Sequence, residues 1–322
     1  MRLSKSFLLS CFIGLLSVAN FAQAKDNGKP YKIIVPFGAG GVADLSTRIL
    51  AEQLAIKLGQ AVIVDNRPGA GSIAASEFVA NSNPDGHTLL LMSNSNAISA
   101  SLFKKLPYNT QKDFSPISTI GVFDIGIVVD NDSPFKNLQE LIAFSKANPG
   151  KLNLGTISIG STQNLTGELF RSQAKLDIQI VPFTSTPQII TALKGKQVDV
   201  AIEVLSPIAS QIKSKNVRVL ATTGAKRSPF FPNTPTAQEQ GVPQFSSASW
   251  NGLAAPAKTS PQVIQTLNLA VIESLNLPNV RGRLEELLIT PDPSTSNEMK
   301  NLLAQEIQRW SAIIDKAHIT KQ

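Results

Sequence analysis

"IIVPFGAGGVADLSTRILAEQL", residues 33–54, decides the fold. Ile33, Ile34 and Val35 form a β-branched apolar run that reads as a buried strand. A loop carrying Gly38, Gly40 and Gly41 follows, and then a helical pattern with Leu45, Ile49, Leu54 and Leu58 along its apolar side until Gly59 stops it. Gly38, Gly40 and Ala43 match the dinucleotide fingerprint G-x-G-x-x-[GA], and Asp65 stands near the place of the acidic ribose ligand. Against that reading, Asp44 falls in the first helical turn, where its carboxylate would face a pyrophosphate. The segment "NRPGAG" after Asp65 also has no part in the motif. Asp44 is better explained as a carboxylate that satisfies the helix dipole itself. The fingerprint is a chance match, which leaves a different anion or a plain tight turn.

Upstream, Arg2 and Lys5, the apolar "FLLSCFIGLLSVANF" and the small-x-small "AQA" at 22–24 have the pattern of a secretory leader cleaved after Ala24. A lipoprotein-like "LLSC" ends at Cys11, but too few residues precede it to serve as an export segment. Cleavage after Ala24 removes the only cysteine, so no disulfide, thiolate nucleophile or cysteine metal ligand is expected. An exported oxidoreductase using a nicotinamide cofactor is correspondingly disfavoured. The formal charge of +7 comes without a basic run or aromatic-interleaved patch, which argues against nucleic acid as a partner. A modest positive field does suit small anions.

Strand and helix signals alternate from Tyr31 onward, which implies α/β architecture with mostly parallel sheets flanked by helices. Two stretches, "TIGVFDIGIVVD" and "SSASWNGLAAPA", read as crossover strands. The resulting expectation is a two-lobed fold of the periplasmic binding (type II-like) kind. Residues 25–123 plus 251–322 form lobe one, and 124–250 form lobe two as an insert. The amphipathic "NEMKNLLAQEIQRWSAIIDKA" is expected to pack back on lobe one.

The opening loop has a partner in "LNLGTISIGSTQNLTGELF", residues 152–170, which repeats strand, small-residue loop and amphipathic helix. Each loop places backbone N–H groups without intrahelical partners at the positive end of a helix dipole. A helix end offers an anion about 0.3–1 kcal/mol. Each hydrogen bond to a charged group adds about 1.5–3 kcal/mol. Four or five such bonds, less the entropy of capture, reach the roughly −8 kcal/mol of a micromolar complex.

The run from Ile33 to Leu91 resembles the opening of the Bug receptors, the extracytoplasmic substrate-binding proteins of tripartite tricarboxylate transporters. The likeness continues through "LPYNTQKDFSPIS", "NPGKLNLGT", "GSTQNLTGELF", "KGKQVDVAIEVLSPIASQIK", "RVLATTGAKRSPFFPNTPTAQEQG" and "SWNGLAAPAKTS", covering the mature chain in order. The resemblance implies a non-enzymatic, monomeric periplasmic receptor that closes on a small carboxylate and needs no metal or cofactor. Its partners would be integral-membrane transporter subunits or, alternatively, a membrane sensor. Carried over by position, Phe37, Gly38, Ala39, Gly40, Gly41 and Asp44 form the lobe-one group. Thr156, Ser158, Ser161, Thr162 and Gln163 form the lobe-two group. Ser93, Ser95 and Asn96 would line the same cleft, with Phe183, Thr184 and Glu203 at the distal end of the ligand.

The chain also departs from the family pattern. Ala39 stands where a proline is usual and Ala43 where a threonine is usual; Ile157, Ser158 and Ile159 replace glycine and serine. "VPFTST" stands where a Val-Pro-Tyr-Lys-Gly type of segment is common. An aromatic or partly apolar monocarboxylate is therefore an alternative to a simple dicarboxylate. His87 and His318 are too far apart in sequence to suggest a triad or a metal site. Arg67 is expected to brace its turn, Trp250 to pack at the hinge, and Asp124 to be a hinge residue.

Overall fold

The computed structural model describes residues 28–322 except Ser158 and Ala317; the expected leader and its cleavage point lie outside the described residues. The chain opens with β1 (Tyr31–Val35), α1 (Val42–Leu58), β2 (Val62–Asn66), α2 (Ile73–Ala80), β3 (Thr88–Ser93), α3 (Asn94–Leu102) and β4 (Phe114–Phe123). It continues through β5 (Ile125–Asp130), α4 (Leu138–Ala147), β6 (Leu152–Ile157), α5 (Thr162–Gln173), β7 (Ile178–Phe183), α6 (Thr186–Lys194), β8 (Val200–Val204), α7 (Ala209–Lys213) and β9 (Val217–Thr222). It closes with β10 (Ser249–Pro256), α8 (Pro261–Leu275), α9 (Pro278–Glu286), β11 (Ile289–Pro291) and α10 (Ser296–Lys316).

Two sheets result. The first has strand order β11-β4-β10-β3-β1-β2 and the second β7-β6-β8-β5-β9. Both are mixed: β1 pairs parallel with β2 and β3, and β6 with β7 and β8, whereas β4, β5 and β10 pair antiparallel with their neighbours. The antiparallel strands include those that carry the chain between lobes, which were expected as crossover strands but whose direction a pattern of alternating strands and helices does not reveal.

Strand direction fixes what faces what. Antiparallel β10 lies between β3 and β4, so β4 runs the same way as β3 and β1. The chain leaves β4 at Phe123 and enters β5 of the other sheet at Ile125, with only Asp124 between. The carboxyl ends of β1, β3 and β4 therefore lie against lobe two. In that lobe β5 runs antiparallel to β8, which is parallel to β6 and β7, so the carboxyl ends of β6, β7 and β8 gather where β5 begins. The two sheets meet carboxyl end to carboxyl end.

The back of this junction is packed. One apolar core runs through both lobes, from Ile34 and Leu90 to Leu154, Phe170 and Ile202, and includes Trp250 and Trp310. Helix α10 touches α3 and β4 on one side and α5 on the other, and Arg309 donates to the carbonyl of Ser246. Asn94 donates to the carbonyl of Ala248 (2.7 Å) and Ser206 to that of Leu287. At the crossing itself, Ser228 Oγ donates to Asp124 (2.5 Å), and burial pushes that carboxyl above its ordinary range.

On α1 the buried face is Ile49, Leu50, Ala51 and Leu54, while Leu45, expected on the apolar side, is exposed. Gly59 caps this helix with φ 67°. Helices α3, α8 and α9 and strand β11 have no counterpart among the elements expected from the sequence. In the first sheet, Gly252 sits where an added Cβ would come 2.9 Å from the Ser118 carbonyl oxygen and 2.6 Å from Met299 Cε. Gly252→Ala should therefore destabilise the fold by about 1–3 kcal/mol, the usual cost of overpacking. A lowered chemical-denaturation midpoint with unchanged slope would register it.

Candidate functional site

The first loop, between β1 and α1, is held by Asp44. Its Oδ2 accepts the Gly40 N–H (2.8 Å) and Arg48 Nε (3.0 Å), while Oδ1 accepts Asn66 Nδ2 (3.0 Å). Asn66 also donates to the Phe37 carbonyl (3.1 Å), which ties the loop to β2. Burial acts to raise the Asp44 carboxyl, but Arg48, the Gly40 amide and Asn66 together hold it below the usual carboxylate range. Gly40 has φ 80°, a conformation that glycine adopts without strain. Asp44 is thus a loop clasp, and its charge is answered by Arg48 at 2.9 Å. Gly38 and Ala39 stay at the surface, where a Cβ on Gly38 would meet no atom within 4 Å.

The second loop, between β6 and α5, repeats this clasp. Gly160, with φ 82°, donates its N–H to Asn164 Oδ1 (3.4 Å), and Asn164 Nδ2 donates to Thr156 Oγ1 (3.2 Å). In both loops the glycine before the N-cap is bound by the side chain at the third helical position, Asp44 or Asn164. Ser161 is the N-cap of α5, its hydroxyl accepting the Asn164 N–H (3.1 Å). The loops differ in charge: a carboxylate paired with arginine in the first, a neutral amide in the second. Thr156 and Thr162 are buried, Ser161 and Gln163 are half-buried, and Ser158 lies outside the described residues.

Strand direction brings both loops to the facing ends of the lobes, and a Cβ on Gly160 would come 2.7 Å from Leu102 of α3. Grooves elsewhere do not combine them. One of about 770 Å³ lies at the opposite pole of lobe one, beside Lys112, Lys258 and Lys300.

Several residues expected to line the cleft serve instead as supports. Asn96 is fully buried within a capping box: its Oδ1 accepts the Ser93 N–H (2.9 Å) and its Nδ2 donates to Ser76 (2.8 Å). Ser93 is buried as the N-cap of α3 and accepts the Ser95 N–H, while Ser95 itself is half-buried. This places a third helix N-terminus at the carboxyl end of a lobe-one strand. The signal for it, Ser93 followed three residues later by an amide, was present in the sequence.

Phe183 was expected at the distal end of a ligand, but its ring lies over Gly155 beside Val198 and joins the smaller core of lobe two. Thr184 is exposed and bonds Gln188. Glu203 is wholly buried: Oε1 accepts Gln163 Nε2 (2.9 Å) and the Val204 N–H (2.8 Å), and Oε2 accepts Thr186 Oγ1 (3.2 Å). Both of its oxygens are thus engaged by the protein. Arg67 pairs with Asp65 (3.0 Å) and stacks 3.7 Å over the Phe78 ring, bracing its turn. Trp250 packs in the shared core and pairs with Val122 across β10 and β4. His87 stacks on Tyr31. Among the described residues there is no group of three or more metal-ligating side chains, and no helix is long and apolar enough to cross a membrane.

Two α/β lobes joined through a shared core, with helix N-termini at their facing carboxyl ends, define the class of two-lobed solute-binding receptors. The chain belongs to the tripartite tricarboxylate transporter family receptors, whose sequence pattern matches residues 46–319, a family of substrate-binding receptors rather than enzymes. It is 34% identical to protein BugT of Bordetella pertussis over 89% of this chain and 88% of that one. It superposes on the periplasmic binding protein BugD with a TM-score of 0.80 at 30% identity, covering 91% of this chain and 99% of that one. MatC from Rhodopseudomonas palustris with bound malate gives 0.78 at 29% identity, covering 88% and 98%. A second R. palustris protein, with adipate, gives 0.81 at 28%, covering 90% and 98%.

Burial pushes the Glu203 carboxyl from 4.5 up to about 7, against three hydrogen bonds that lower it. The folded state therefore keeps a proton that the unfolded chain gives up near 4.5. Stability of the unliganded protein should fall as pH rises from about 4.5 to about 7, by on the order of 3 kcal/mol from this group, and then level off. Glu203→Gln should flatten that part of the profile in thermal-unfolding scans across pH.

Proposed function

We propose that this chain is a periplasmic receptor that captures a small carboxylate between its lobes and delivers it to the integral-membrane subunits of a tripartite tricarboxylate transporter. The observation that carries the reading is the pair of matching glycine clasps at the facing carboxyl ends of β1 and β6. Ligands of open α/β folds sit outside the carboxyl ends of strands. In each loop the clasp fixes the turn while the first N–H groups of the helix remain without intrahelical partners. The carboxylate is held by the amides of the Phe37–Gly41 loop and the start of α1, and by Ser161, Thr162 and Gln163 at the start of α5. Asp44, Thr156, Asn164 and Glu203 hold these groups in place. The malate and adipate in related receptors support the ligand class.

Phe183, the main reason for weighing aromatic monocarboxylates, is half-buried against the smaller core of lobe two and lines a groove with Pro187, Gln188, Thr191 and Gln197. The malate and adipate of related receptors make dicarboxylates the first choice. Lobe one takes the chain up to residue 123 and from 249 onward, and lobe two residues 124–248, because β10 pairs Ser249 with Phe123 in the first sheet, two residues before the boundary expected from the sequence. Ligand binding favours the closed arrangement and presents both lobes to the membrane partner. Export by a leader cleaved after Ala24, and a monomeric state, complete the reading.

Thermal shift of the mature protein against malate, succinate, adipate and benzoate tests it. A binding acid at a hundred times its dissociation constant should stabilise by about 2.7 kcal/mol. Gly38→Val adds bulk where a Cβ meets no atom within 4 Å. The unliganded variant should stay within about 0.5 kcal/mol of the parent, as surface changes do, yet lose the ligand-induced shift. A parent protein unmoved by every acid, or a variant that still binds as the parent does, would overturn the assignment.

A further inference from the structure

Gln163 occupies the second helical position of α5, half-buried at the end of lobe two that faces lobe one. Its amide is engaged at one end only. Nε2 donates to Glu203 Oε1, whereas the amide oxygen takes no protein donor among the described residues and is not sealed from solvent. Glu203 Oε1 also accepts the Val204 N–H, so this oxygen acts as an acceptor. Its protonation does not reverse the arrangement. A proton on Oε2 can be received by Thr186 Oγ1, which lies 3.2 Å away, while Oε1 goes on accepting from both N–H groups. A carbonyl turned toward Oε1 would set two acceptors against each other in a buried place, and such an unpaired buried contact is costly.

We propose that Glu203 is a positioning residue that clamps Gln163 with its amide oxygen toward the cleft, so that the receptor selects small carboxylates bearing a hydroxyl or ammonium donor beside the carboxylate. The inference rests on the cleft reading given above and adds a chemical preference to it. The α5 N-terminus supplies donors, which suit any carboxylate; the Gln163 oxygen is an acceptor among them and rewards only a ligand with a donor to give. An acid without that donor leaves the oxygen unpaired, or hydrated at best.

The test compares malate with succinate, which differ by one hydroxyl, by calorimetric titration of the parent protein and three variants. The parent should bind malate about 3- to 10-fold more tightly, the range one neutral hydrogen bond supplies. Glu203→Gln keeps an acceptor oxygen for Gln163 and Val204 and should keep the ratio. Glu203→Met removes that acceptor, frees the amide to rotate, and should bring the ratio toward one, with succinate as the reference for any general weakening. Gln163→Met, at a half-buried position, removes the amide with Glu203 intact; it should bring the ratio toward one whatever it does to the affinity for succinate, and it serves if Glu203→Met fails to fold. If malate and succinate both bind the parent but without a preference, or with a preference that survives Gln163→Met, the clamp is refuted and the cleft assignment stands. Should neither acid bind the parent, the cleft assignment itself fails and the clamp goes with it.

Discussion

The end-to-end meeting of β4 and β5 at Asp124 is the constraint from which the rest of the molecule follows. One residue is too short to let the chain turn around, so the direction in which lobe one leaves its sheet is the direction in which lobe two begins. Antiparallel β10 carries the direction of β4 to β3 and β1, and antiparallel pairing of β5 with β8 reverses it for β8, β6 and β7, so each of their carboxyl ends arrives at the boundary between lobes. Helices that follow those strands start at the boundary too. The concentration of amide donors there is a consequence of topology, and it does not require charged side chains.

The two loops solve one local problem twice. A glycine in left-handed conformation brings its own N–H inward, and the side chain at the third helical position takes it up. That internal bond uses a donor which would otherwise be available, and in exchange it fixes the turn that presents the remaining ones. Lobe one uses an aspartate with an arginine counter-charge, lobe two an asparagine with none. The electrostatic difference makes the start of α5 the less encumbered of the two helix ends toward a negative charge.

Much of this was legible in the chain. A strand signal, a loop of glycines or small residues and an amphipathic helix announced both loops; the matching clasps of Asp44 and Asn164 came only with the structure. Phe183, closing the strand "IQIVPF", matched the end of β7. What did not show was tertiary in origin. Asn96 just after β3 and Glu203 near the end of β8 are polar residues at strand ends, a pattern shared by ligand contacts and buried supports; only their packing against Ser76 and Gln163 separates the two roles. Phe183 closes a strand in the same way, yet its ring folds back over Gly155, a contact no local pattern encodes. The antiparallel course of β10 was equally hidden, because β-propensity carries no direction.

The position of β10 also shapes how the polypeptide must come together. It lies between β3 and β4, which have no pairing with each other, and it pairs Ser249 with Phe123 across the whole intervening lobe. During synthesis, which runs from the amino end, lobe two can complete its sheet once β9 has emerged. The first sheet stays split into β1–β3 on one side and β4 on the other until the final quarter of the chain arrives. Assembly of this half is necessarily late, and a nascent chain is left with a gap at its centre that only its own distal segment fits.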